Sequence, residues 1–238
     1  MSRSVHRTTP SSRRAVAFAA MLAVGAALAA TGEAQGAVVP VAEIPAVSAT
    51  AAGFAPPGWR VEKRAVGHLD GDGRKDLAVV LIQSGSGGGA YSAPDGSRAL
   101  VLARGTVGGG FRRAGVAPRL LGCGQCGGAF WGAATMPVKV AIAKRAVVVR
   151  QTFGSRELID TTHRIRWATT PAKFRLVGLD TVVRDRLTGR SVAVSTNHLT
   201  RRQTTVTRKG SKVVSTTTRR ISVSPRSIAG VVFGKLRP

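Results

Sequence analysis

From Trp59 onward the chain is built of short apolar or alternating stretches punctuated by turn residues at intervals near ten. No long helical period interrupts them, and a pattern of this kind commits a chain to paired strands. "WRVEKRAVG" alternates, while "DLAVVLIQ" is a continuous apolar run suited to a strand buried on both faces. "RALVLARG" and "GGFRRAGV" form a hairpin pair, and "VKVAIAKRAVVVRQTF" gives two strands turning at Lys144-Arg145. Further pairs turn at a proline in "THRIRWATTPAKFRLVGLDTVV", at Thr188-Gly189, and at Lys209-Gly210. "SGSGGGAYSAPDGS" is a loop by composition, and residues 90–98 or 224–230 leave room for a helix without requiring one. The expected fold is mainly β: an antiparallel meander or sandwich-like single domain over residues 58–238.

Two segments precede that domain. Residues 1–37 have a basic start at Arg3, Arg7, Arg13 and Arg14, an apolar run from Ala15 to Ala30, and then small residues. That is the layout of a signal peptide, whose removal gives an exported, soluble protein, periplasmic or extracellular. The competing reading, a retained membrane anchor, meets an apolar run shorter than the ~20 residues that span a bilayer. Residues 38–57, rich in Ala, Val and Pro, read as a linker or a lead-in strand.

Charge matters next. Without the leader's four arginines and Glu33, 32 basic and ten acidic residues remain, a net +22. Residues 186–238 hold twelve Lys or Arg and no acid. Arg201, Arg202, Arg208, Lys209, Lys212, Arg219 and Arg220 are the candidate contacts for an anionic partner: acidic polysaccharide, a membrane surface or nucleic acid. Beside this stands the plainer reading of a solvated surface. Few aromatic residues interleave with these charges, so platforms for stacking bases are missing.

Cys123 and Cys126 are the only cysteines, in "LGCGQCGG". In an oxidising compartment the pair reads as a local disulfide. A redox role would need a βαβ setting, and zinc would need two more ligands.

The acids are unevenly placed: "GHLDGDGRKDL", residues 67–77, holds three of the eleven. In twelve-position calcium numbering His68 takes position 1, Asp70 position 3, Asp72 position 5, Arg74 position 7 through its carbonyl, and Asp76 position 9. Gly73 supplies the sharp turn at position 6, and the Arg74 side chain is expected to point away. Val79 at position 12, followed by a strand, excludes an EF-hand. With His68 in place of a carboxylate, affinity for Ca2+ is expected at roughly 10⁻⁴ to 10⁻³ M or weaker. The alternative is a turn whose carboxylates cap backbone N–H groups, with no ion.

The D-x-D-G-x-x-D-L stretch resembles the FG-GAP or VCBS-type repeat, a calcium-loop hairpin of integrin-like propellers. One copy is present, so a closed multi-blade propeller is not expected. The order of further motifs is similar to that of exported single-repeat proteins of uncharacterised function. These motifs are the cysteine-glycine turn at 123–128, "GSR" at 154–156, "FRLVGLD" at 174–180, Thr188-Gly189 and "STNHLT" at 195–200. His68 and His198 depart from that pattern, standing where Asp and an aromatic residue are usual. The resemblance implies a non-enzymatic role.

Signals of catalysis fail on their context. "GCGQCG" satisfies G-x-G-x-x-G, but no acid lies between Asp95 and Glu157 to hold a ribose, so no organic cofactor is expected. No P-loop, nucleophile elbow or H-E-x-x-H occurs. His163 and His198 lie in alternating strands, where histidine is ordinarily structural. The sequence therefore supports a structural or binding module carrying a weak calcium-type loop. The rivals are an electrostatic binder of anionic polymer or membrane through residues 186–238, and a metal-assisted hydrolase at the aspartate loop.

Overall fold

The computed structural model describes residues 38–85, 96–132 and 134–235. The expected signal peptide and most of the glycine-serine loop lie outside the described residues. Strands make up 56% of the described residues and helix 5%, so the mainly β expectation holds. In chain order the strands are β1 (Val47–Ser48), β2 (Trp59–Gly67), β3 (Asp76–Gln83), β4 (Arg98–Gly105) and β5 (Phe111–Ala117). There follow β6 (Val138–Ala143), β7 (Ala146–Gly154), β8 (Glu157–Thr169), β9 (Ala172–Asp185) and β10 (Arg190–Asn197). The last three are β11 (Arg202–Lys209), β12 (Lys212–Arg220) and β13 (Arg226–Ser227).

Two antiparallel sheets result. One has five strands in the order β1-β5-β4-β3-β2. The other is a meander of eight, from β6 at one edge to β12 at the other, with β13 added against β9. One sheet curls into half a barrel and the other is open; neither closes into a propeller.

The apolar run of β3 is explained by burial on both sides. Ala78 and Val80, with Leu100 and Leu102 of β4, pack toward the long sheet, against Val147, Val149, Ile165, Phe174 and Leu176. Leu77, Val79 and Leu81 face the other way, against Val39, Ile44, Ala51 and Phe54. Residues 38–57, expected as a linker or a lead-in strand, thus form a cover. They contain the two-residue strand β1 and two 3-10 turns, Val41–Glu43 and Ala52–Phe54. Phe54 is wholly buried, which places this segment inside the fold. Short apolar spacing without a full strand's alternation hid this role.

The C-terminal end also returns to the core. Ile228, in the 3-10 turn Ile228–Gly230, and Val231 are buried, and Phe233 packs on Phe153 at 4.7 Å between ring centroids. Cys123 and Cys126 are disulfide-bonded across one turn, with Cα atoms 4.9 Å apart. That turn is fixed from outside by Arg98, whose guanidinium is buried, pairs with Glu62, and donates to the carbonyls of Gly122 (3.2 Å) and Cys123 (3.3 Å).

Candidate functional site

The aspartate cluster is the loop of the β2–β3 hairpin, closed by the Gly67–Asp76 pair. Gly71 and Gly73 take positive φ, +86° and +82°, which lets the chain reverse twice within four residues. The loop is locally wired. Asp70 Oδ1 accepts the Asp72 N–H at 3.0 Å, and Asp72 Oδ1 accepts the Arg74 N–H at 2.9 Å. These are two Asx-type turns in series. Asp76 is fully buried; its Oδ2 accepts the Leu69 N–H at 2.6 Å and its Oδ1 the Gly105 N–H at 3.0 Å.

The three carboxylates converge, with one oxygen of each lying within 4.8 Å of the others. Among the described residues this is a grouping that could hold a cation. Two arginines share it. Arg104, at the end of β4, donates from Nε to Asp70 Oδ2, and its Nη2 lies 3.5 Å from Asp72 Oδ2. Arg74 pairs with Asp72 and donates from Nε to the Gly105 carbonyl at 3.1 Å. The expectation that Arg74 would point away is therefore corrected. The end of β4 abuts the loop so closely that a Cβ on Gly105 would lie 2.5 Å from the Lys75 carbonyl oxygen, and the carboxylate beside Arg74 draws its guanidinium inward.

Electrostatics differ along the loop. Burial works against the charge of Asp70, yet the Asp72 N–H and the Arg104 guanidinium outweigh it and hold the pKa below the ordinary value. Burial raises Asp76, against the hydrogen bonds from Gly105 and Leu69, and the charges of Asp70 and Asp72 add to the rise.

The donor set can be tested against a calcium ion. His68 Nδ1 donates to the Arg74 carbonyl at 2.9 Å, so positions 1 and 7 satisfy each other. Both oxygens of Asp76 receive backbone N–H groups. Asp70 and Asp72 face guanidinium groups. As folded, the set does not fit a divalent ion without displacement of arginine.

The basic candidates fall at the open end of the long sheet. Every residue of β12 is exposed, so this edge strand stands in water on both faces. Pairing Arg202 with Arg220 and Arg208 with Val213 puts three arginines on the outer face. Pairing Gln203 with Arg219 and Lys209 with Lys212 puts three cations on the core-side face, while Arg201 sits in the preceding turn with φ +54°. The structure thus splits the set between two faces. At one end, Thr200, Arg202, Thr218, Arg219 and Arg220 line a hollow of about 540 Å³. A second, of about 510 Å³, has Arg184, Arg186, Arg190 and Arg208 among its lining residues. Among the described residues none of Arg202, Arg208, Lys209, Lys212, Arg219 and Arg220 has an acidic partner; Arg219 bonds the Gln203 amide oxygen at 2.7 Å.

His163 and His198 are buried. Burial lowers the pKa of His163 to about 4, and its Nδ1 has no partner. His198 is lowered by burial and by the charge of Arg226. Ser195 donates to Asp180 at 2.8 Å, but Asp180 pairs with Arg164 and neither histidine bonds this serine. Sequence reasoning missed Arg104 and Arg98; "LARG" and "GSRAL" hold them, but only the strand register aims them inward. Comparisons with protein families, with curated proteins and with solved structures find no match for this chain.

Proposed function

We propose that this chain is an exported, non-enzymatic binding module that holds a flexible acidic polysaccharide on the β11–β12 ribbon. The observation that carries this reading is the hollow lined by Thr200, Arg202, Thr218, Arg219 and Arg220, three arginines and two threonines with no acid among the lining residues. Its volume of about 540 Å³ suits a single sugar ring. Guanidinium forks match sulfate or carboxylate, and threonine hydroxyls can exchange hydrogen bonds with sugar hydroxyls. Cations on both faces of a thin ribbon favour a chain supple enough to wrap an edge, over a stiff duplex that touches one side. The basic leader and small residues after its apolar run support export, and the motif order of the FG-GAP-like proteins supports a role without catalysis.

Heparin binding as a function of salt tests the reading. Arg202→Ser, Arg219→Ser and Arg220→Ser together should weaken binding and flatten the dependence of log K on log salt by about three counterions. A control that removes the same charge from β2, Arg60→Ser with Lys63→Ser and Arg64→Ser, should leave most of the affinity. Equal losses in the two triple variants would reduce the effect to net charge. Tighter binding to duplex DNA or to anionic vesicles than to heparin would replace the polysaccharide with that partner.

A further inference from the structure

Three carboxylates with oxygens inside 4.8 Å repel one another unless a cation stands between them. A free ion is one solution, and a side chain fixed by the fold is another. The end of β4 supplies the second in two consecutive residues. Arg104 takes Asp70 and reaches Asp72, while the Gly105 N–H takes Asp76 and its carbonyl takes the Arg74 Nε–H. The position of Arg104 is set from three directions: its backbone pairs with Arg112 in β5, its head enters the loop, and its guanidinium lies 4.9 Å from the ring centroid of Trp167 in β8. Trp167 in turn packs on Phe174 at 5.0 Å. A guanidinium held this way loses little freedom on entering the loop, and its planar face is well suited to an aromatic partner.

From this arrangement we propose that Arg104 is the resident cation of the aspartate loop: the loop takes no divalent ion while this guanidinium is in place, and removing it frees Asp70 and lets calcium displace the more exposed Arg74 from Asp72. The loop then serves as a joint between the sheets. Arg104 links it to Trp167, and Arg145, from the β6–β7 turn, lies against Gly71. The proposal rests on nothing in the polysaccharide reading, so either can fail alone.

Terbium luminescence sensitised by tryptophan, and melting curves with calcium, test it on the full chain, with Trp167 as the built-in donor. The unaltered protein should give no sensitised emission, and at a fixed ionic strength 10 mM calcium should leave its midpoint within about 1 °C. Arg104→Gln should gain emission, and calcium at ten times its Kd should raise its midpoint by about 3 °C. Arg104→Lys keeps the charge and should behave as the parent. Adding Asp70→Asn to Arg104→Gln should abolish the gain. A calcium-dependent rise in the midpoint of the unaltered protein would overturn the proposal, and that arm decides even if Arg104→Gln does not fold. A folded Arg104→Gln that binds neither ion would overturn it as well.

Discussion

Asp76 is the loop residue on which the others lean. Its two oxygens are the acceptors for the N–H groups of Leu69 and Gly105, one in its own hairpin and one at the end of β4. Asp76→Ala leaves two donors without partners beneath the surface and should cost about 3 kcal/mol in urea unfolding. His163 gives a second residue-scale expectation, with a definite sign. Its folded pKa is depressed to about 4 by burial, so between about 6.5 and 4 the unfolded chain binds a proton that the folded chain refuses. Its contribution is fully present above about 6.5 and is lost as pH falls to about 4, by an amount on the order of 3 kcal/mol. The stability of the parent should fall over that window relative to that of His163→Leu, and the two curves should run parallel above it. At this scale the sequence exposed the aspartates, since three acids and three glycines in a basic chain have a local cause. It concealed Arg104, because a partner some thirty residues away is chosen by register and no local pattern encodes register.

Hairpins were the most legible elements. The turns at Lys144-Arg145, Pro171, Gly189 and Gly210 all join the strands that their residue types announced. The reason is that turn chemistry acts within four residues. What could not be read was how the cysteine turn is secured. The disulfide closes a very small ring, whereas the Arg98 guanidinium is buried, pairs with the half-buried Glu62 and also bonds the carbonyls of Gly122 and Cys123. Glu62→Ala strands a guanidinium in the interior and should cost about 3 to 5 kcal/mol. Replacing both cysteines by serine should cost about 2 kcal/mol or less. Thermal unfolding of the two variants ranks the contributions, and the reverse order would show the covalent link to be the main fastening.

Across the whole molecule the balance of charge sets the behaviour. Of the nine acids among the described residues, Glu62, Asp70, Asp72, Asp160, Asp180 and Asp185 are in ion pairs with arginine and Asp76 is buried. Most of the remaining positive charge is left to repel itself. Raising sodium chloride from 10 to 300 mM should therefore raise the melting midpoint by a few degrees, because screening relieves repulsion more than it weakens the paired sites. A midpoint that falls over that range would mean that the surface pairs outweigh the repulsion. Sheet order and the two-layer core lay beyond sequence reasoning, since alternation says which face of a strand is apolar without saying which sheet it meets. The cover over β3 carries one more consequence. Val47 pairs with Arg112, and Arg113 donates its backbone N–H to the Ala46 carbonyl, so residues 38–57 cannot complete their seat until β5 has been synthesised. Assembly must run against the order of synthesis there, with the apolar side chains of the cover left waiting for the strands that will shelter them.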